Sequence, residues 1–242
     1  MAFQTAPQLS CFTCPARPVG LCNPMRTRQE LLELEAARRA PRSVPARRAI
    51  YRDGDTSQAL FNVISGWLYF FSYTPQGKRQ ILDFALPGEI FGYQTPLTGG
   101  VQHGVMTLTE TVLCPLPLRT LNQLRAQHPK FDERFIEMDQ ANRARNLEHL
   151  GTLGWLPNRE RVKRLLFGLA GRARPGQPLR RGDVVEIPLT QQHLADATGV
   201  TAIHVNRTLR ELRESGVCRF DRGVLWLGED VEASAKVPAP EA

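Results

Sequence analysis

No apolar run in this chain approaches the ~18 residues that a membrane-spanning helix needs, so a membrane protein is not expected. The first ten residues, Met1 to Ser10, have neither a basic stretch nor an apolar one; no secretory leader is expected, and the expected location is cytoplasmic. A phosphate-binding P-loop is missing, as is any convincing Ser/His/Asp arrangement. The five histidines, His103, His128, His149, His193 and His204, are scattered along the chain. Enzymatic chemistry is therefore not expected. What is abundant is positive charge. Lys and Arg number 31 against 24 Asp and Glu, a net +7 over 242 residues, which favours a polyanionic partner. With 42% hydrophobic residues the chain can build one large domain or two modest ones.

Cysteine is sparse but clustered. Of the five cysteines, Cys11, Cys14 and Cys22 lie within twelve residues; Cys114 and Cys218 stand alone. In a reducing compartment clustered thiols read as metal ligands or redox sites rather than disulfides. The Cys11-x2-Cys14 spacing lets both thiolates reach one metal from a single turn. Pro15, Pro18, Gly20 and Pro24 keep the segment irregular, and it has little apolar periodicity, so it shows no reason to be ordered without a bound centre. Three thiolates leave a ligand missing, and no histidine is near. Zinc, an iron–sulfur centre and an unstructured tail with incidental thiols all remain open on spacing alone.

Arg28 to Arg39 reads as a short helix. From Pro41 to about Pro117, short runs rich in Val, Ile, Phe and Tyr alternate with glycines. Strands are expected over 59–65, 67–73, 79–86, 105–109 and 111–114, the pattern of a small barrel or double-layered roll. After Pro117 the pattern turns helical: Leu118 to Gln127, then a long helix from Pro129 to about Leu156. Its apolar residues, including Phe135, Met138 and Leu150, recur near the helical period, with Asn142 and Asn146 interrupting them. Such a helix is expected to pair with a second copy. Glu160 to Leu169 is a basic amphipathic helix, and Val184 to Ile187 a strand.

The stretch from Leu189 to Arg213 is the most informative. Thr190 caps one helix, Gly199 supplies a left-handed turn and Thr201 caps a second helix, whose inward residues are Val205, Leu209 and Leu212. This is a helix-turn-helix. On the second helix Arg207 can donate to guanine, Asn206 can pair with adenine and Ile203 can touch a thymine methyl. Thr190, Gln192, Thr201 and Arg210 are expected to contact phosphates. Leu156 to Arg213 holds eleven Lys or Arg against five Asp or Glu, so most of the net charge sits here. Val217 to Leu227 reads as a hairpin turning at Asp221-Arg-Gly223, a wing.

The glycine-punctuated roll, the long helix and Leu194-Ala-Asp-Ala-Thr-Gly-Val-Thr-Ala-Ile-His-Val-Asn-Arg207 followed by a wing resemble the CRP/FNR family of transcription regulators. The resemblance covers residues 11 to 230. It implies an α+β fold: a cyclic-nucleotide-binding-type β-roll, a long dimerisation helix and a C-terminal winged helix-turn-helix. The corresponding divisions are a cysteine-rich segment (1–28), a sensor roll (29–128), a dimer helix (129–156) carrying Phe135, Met138, Asn142, Asn146 and Leu150, and a DNA-binding domain (157–242). Cyclic-AMP-binding members place an arginine where this chain reads Gln102-His103-Gly104-Val105, so a cyclic nucleotide is not expected. The FNR branch carries an N-terminal cysteine cluster plus one cysteine in the roll, and Cys114 stands at that place. The resemblance thus implies a [4Fe–4S] cluster on Cys11, Cys14, Cys22 and Cys114, sensing oxygen. It also implies a homodimer on a palindromic DNA operator, acting with RNA polymerase. Ile203 and Asn206 depart from the FNR pattern and imply an altered half-site. The rivals are a cluster-free member responding to haem, nitric oxide or another small ligand, and a zinc-stabilised DNA-binding protein.

Overall fold

The computed structural model describes residues 4–5, 9–56, 59–93 and 100–228. The chain forms two compact units, Met1–Leu147 and Glu148–Ala242. The division falls inside the long helix, so the segment expected as a separate dimer element is shared between the units.

The first unit is a roll of two antiparallel sheets. Its strands are β1 (Gln4–Thr5), β2 (Arg42–Val44), β3 (Ala49–Tyr51), β4 (Ala59–Ser65), β5 (Leu68–Tyr73), β6 (Arg79–Ala85), β7 (Ile90–Phe91), β8 (Gly104–Thr107) and β9 (Thr111–Pro117). One sheet runs β1-β2-β9-β4-β7 and the other β3-β8-β5-β6. Cys114 lies on β9, opposite Asn62 of β4. Inside the roll Val63, Leu68, Val105 and Leu113 are buried. Aromatic rings pack beside them: Phe61 stacks on Phe91 at 5.1 Å, and Phe70 meets His103 edge-on at 5.5 Å.

Helix α1 (Arg28–Ala37) starts in a capping box, with the Thr27 hydroxyl accepting from the Glu30 amide. It packs with α2 (Leu118–Gln127) and the start of α3 (Pro129–Trp155) in a second core of Leu31, Leu34, Leu121, Leu124, Phe131 and Phe135. The cysteine-rich segment contributes to this core. Cys11, Leu21 and Met25 are buried in it. Burying a Leu or Met side chain stabilises by about 1.5–3 kcal/mol, so Leu21 and Met25 anchor the segment to the core by apolar packing. This corrects the expectation that the segment has no order of its own.

The second unit holds α4 (Asn158–Ala173), β10 (Val184–Glu186), α5 (Gln191–Thr198), α6 (Ala202–Glu214), β11 (Cys218–Asp221) and β12 (Val224–Leu227). Strands β10, β12 and β11 form an antiparallel sheet. Arg222 and Gly223 both take positive φ, 48° and 80°, as a tight two-residue hairpin turn demands. Val162, Leu166, Leu194, Val205, Leu212 and Leu225 are fully buried between the helices and this sheet.

Candidate functional site

Two sites stand out, one in each unit. The first is a pocket in the roll. The chain from Ser10 to Met25 is a string of turns, closed by backbone bonds such as Arg17 N to Cys14 O (3.2 Å), Gly20 N to Ala16 O (2.8 Å) and Met25 N to Cys22 O (3.1 Å). These turns direct Cys11, Cys14 and Cys22 into a cavity of about 40 Å³, which Cys114 reaches from β9. All four thiols predicted as ligands therefore line one space. They are free of disulfides. Burial pushes the Cys114 thiol up to about 12, and raises Cys22 well above its usual range, with Cys114, Cys11 and Cys14 adding to the effect.

Polar groups around the cavity hold the loop. Glu35 of α1 accepts from the Ser10 hydroxyl (2.6 Å) and from the Cys11 amide (2.8 Å). Arg38 donates from Nη2 to the Leu9 carbonyl at 2.6 Å. Asn62 and Arg17 also line the cavity, and the buried Asn62 Oδ1 and Arg17 Nε lack hydrogen-bond partners among the described residues. No sequence signal pointed to Arg38, Asn62 or Arg17, because each acts across more than one element. On the far side of the loop, Arg134 of α3 donates to the Val19 carbonyl at 2.7 Å. Gly88, at φ +90°, lets Val19 lie against it: a Cβ there would stand 2.6 Å from Val19 Cγ2.

The long helix divides the residues expected on a dimer seam. Phe135 is only 3% exposed and lies in the roll's own core, with Met138 packed against that core. Asn142 donates to the Ile90 carbonyl at 3.2 Å. All three therefore make contacts within their own chain, Phe135 buried and Met138 and Asn142 half-buried. Asn146 and Leu150 are exposed. So are Ile136 and Leu147. Ile136, Arg143 and Leu150 recur every seven residues, with Gln140 and Leu147 between them in the same repeat.

The second site is the helix-turn-helix. Thr190 and Thr201 cap α5 and α6, each hydroxyl accepting from the amide three residues on (3.3 Å). Gly199 closes α5 in the left-handed region at φ +72°. Ile203, Asn206, Arg207 and Arg210 are exposed on α6. Asn206 donates to Gln191 Oε1 at 3.3 Å and Arg207 pairs with Glu211 at 3.0 Å, so both are held rather than loose. Gln192 donates to Asp196 at 2.7 Å. Gln191, absent from the expected contacts, orients Asn206.

Comparison with known proteins finds a known domain type in each unit. The family model for the cyclic nucleotide-binding domain matches residues 41–128, and the one for the Crp-like helix-turn-helix domain matches residues 160–228. The nitrogen fixation regulation protein FixK of Bradyrhizobium diazoefficiens is 25% identical over 232 residues, 95% of this chain and 94% of its own. The chain belongs to the CRP/FNR family of transcription regulators. Another relative is the transcriptional activator protein FnrL of Cereibacter sphaeroides, 26% identical over 87% of this chain and 84% of its own. In fold, this CRP/FNR regulator is similar to FixK2 from Bradyrhizobium japonicum, with a TM-score of 0.70 and 18% identity over 84% of this chain and 98% of that one. As a family member it is a DNA-binding regulator and not an enzyme, and the family forms dimers. Among the described residues no helix is long and apolar enough to cross a membrane.

Proposed function

We infer that the protein is a cytoplasmic, homodimeric regulator that senses oxygen through a [4Fe–4S] cluster held by Cys11, Cys14, Cys22 and Cys114, and controls anaerobic or microaerobic genes. One observation carries this reading: four thiols from two distant stretches of chain line one cavity. The donor set fits, since four thiolates are the usual ligands of such a cluster. When bound, the cluster supplies an oxygen-labile centre. The protein's own residues then connect that centre to the rest of the fold. Cys11, Cys14 and Cys22 belong to the loop and Cys114 to β9, so joint ligation ties loop to sheet. Arg134 ties the same loop to the long helix through Val19. A shift in the loop thereby biases the pairing of the long helices, whose exposed Ile136, Leu147 and Leu150 offer the apolar contact. In the paired state two recognition helices meet successive major grooves of a palindrome, about 34 Å apart. Thr190, Gln192, Thr201 and Arg210 set the register, Ile203, Asn206 and Arg207 read bases, and the bound dimer acts on RNA polymerase.

A cyclic nucleotide fits this roll poorly. Where the nucleotide-binding relatives place an arginine, His103 sits 3.4 Å from the Tyr51 hydroxyl, and burial lowers its pKa and favours the neutral ring. A neutral imidazole gives a phosphate no charge partner.

A cluster-free regulator is the second reading. Among the described residues no group of three or more Cys, His, Asp or Glu is placed to hold a metal ion, and a 40 Å³ cavity requires the loop to move outward to admit a cluster. Purification without air, followed by an absorbance spectrum and iron and sulfide assays, decides between them. About four irons and four sulfides per chain are expected for a full site. A colourless, iron-free protein with full operator binding removes the cluster. Bound zinc without air sensitivity points to a structural metal instead.

A further inference from the structure

The wing-facing side of the recognition helix carries a basic recess whose arginines Arg213 and Arg219 have no part in the base reading described above. Asn206, Arg210 and Arg213 follow one another at intervals of four and three along α6 and so share one side of it. Facing them are Arg219 and Asp221 of β11, and Gln191 at the start of α5. Together these residues line a recess of about 270 Å³.

Three guanidinium groups thus border one hollow, and their existing commitments are slight. Arg210 stands 3.9 Å from Glu214, an open surface pair. Arg219 gives one edge to Asp221 at 3.3 Å and lies over the Trp226 ring, 4.8 Å from its centroid. Those two contacts hold its planar group in place and leave other donors of the fork unused. Arg213 has no side-chain hydrogen bond or ion pair among the described residues. Like charges around one hollow repel, and an anion between them converts repulsion into attraction.

We propose that this recess binds a phosphodiester group of duplex DNA, with Arg213 of α6 and Arg219 of the wing as its ligands. The orientation of α6 supports that choice of anion. Ile203 is 82% exposed and the Arg207 side chain 73%, both on the neighbouring side of the helix. A helix that directs those two at base edges turns its adjacent side towards the phosphate rim of the groove. Asp221 repels an anion on its own side of Arg219, so the phosphate sits on the α6 side, next to Arg213. The proposal rests on the family's DNA binding and not on the cysteine pocket, so iron analysis and the following test fail independently.

The test is the salt dependence of DNA binding by the full-length protein, measured on two short duplexes of unrelated sequence. Arg213→Ala and Arg219→Ala are each expected to reduce the slope of log K against log salt by about 0.9 per bound protomer, equally on both duplexes. Arg213→Lys is expected to keep most of the slope, because an ammonium still neutralises a phosphate. Arg119→Ala, an exposed charge on α2 in the other unit, controls for a general loss of charge and is expected to leave the slope unchanged. Unaltered unfolding midpoints identify the variants as folded. Wild-type slopes in both alanine variants overturn the proposal. So does weakening confined to one duplex, which makes the arginines base readers.

Discussion

Arg38 donates from Nε to the Cys11 sulfur at 3.3 Å. The same guanidinium stands 3.8 Å from Glu35, which itself holds the Cys11 amide. The end of helix α1 and its cap residue Arg38 therefore grip the first cysteine from both its backbone and its sulfur. Arg38→Met is expected to lower iron and sulfide retention after anaerobic reconstitution. Its effect on the unfolding midpoint is expected to be small, because a partly exposed ion pair is worth about 0–1 kcal/mol. Metal content and thermal unfolding measured on the same preparation separate the two effects. Full retention of iron shows that the sulfur contact is dispensable.

Gly88 and Gly199 both adopt positive φ, but they differ in what surrounds them. Alanine at either position pays the left-handed penalty, about 1–2 kcal/mol. At Gly199 the nearest atom to a new Cβ is Leu153 Cδ2 at 3.9 Å, an ordinary contact. At Gly88 the new methyl overlaps Val19, which must give way and move the cysteine loop. Gly88→Ala is therefore expected to destabilise more than Gly199→Ala and to speed alkylation of Cys22. Gly199→Ala is expected to leave the thiols unaffected and to weaken DNA binding. Thiol-trapping rates and binding isotherms check both halves.

In the proposed reading Arg207 is the most direct base reader on α6. Its pairing with Glu211 pre-positions the guanidinium along the helix. Arg207→Ala is expected to cost about 1–3 kcal/mol on the cognate operator and much less on random duplex. Equal losses on the two would make Arg207 a phosphate contact. The contrast with Arg213, where equal losses are expected, tests the division of α6 into two sides.

His103 gives the roll an acid-sensitive element. Burial against Tyr51 and Phe70 holds its pKa below the ordinary 6.5, with Asp53 opposing the shift. The unfolded chain takes up this proton as pH falls through 6.5, while the folded chain does so only at lower pH. The stability from neutral His103 is complete above that pH and is lost as pH falls from it towards the folded value. His103→Phe is expected to remove this part of the slope, less than about 1 kcal/mol per pH unit for a partly buried ring. Denaturant unfolding of both proteins between neutral and mildly acid pH measures it.

Much of this architecture is legible in local chemistry. Thr190, Gly199 and Thr201 are cap and turn residues whose roles depend on neighbours within a few positions; α5 begins at Thr190 and ends at Gly199, and α6 begins at Thr201. Strand β4 runs from Ala59 to Ser65, the bounds its apolar run and Gly66 indicate. Strands β2, β3 and β7 have only three, three and two residues, and no run that short carries a pattern of its own. They exist because longer partners pair with them.

By itself the sequence determined the order of roll, long helix and winged reader, since turns, caps and periodicity are short-range properties. It also supplied the cysteines, but spacing alone left their common destination open. Only the tertiary structure decided that Cys114 meets the N-terminal thiols, because β9 and the loop are brought together by a core that nearby residues do not specify. The same holds for α3, where Phe135 and Leu150 are equally apolar in sequence. Phe135 is buried in the core of the first unit and Leu150 is exposed, and which side of a helix is buried depends on the neighbour that packs against it.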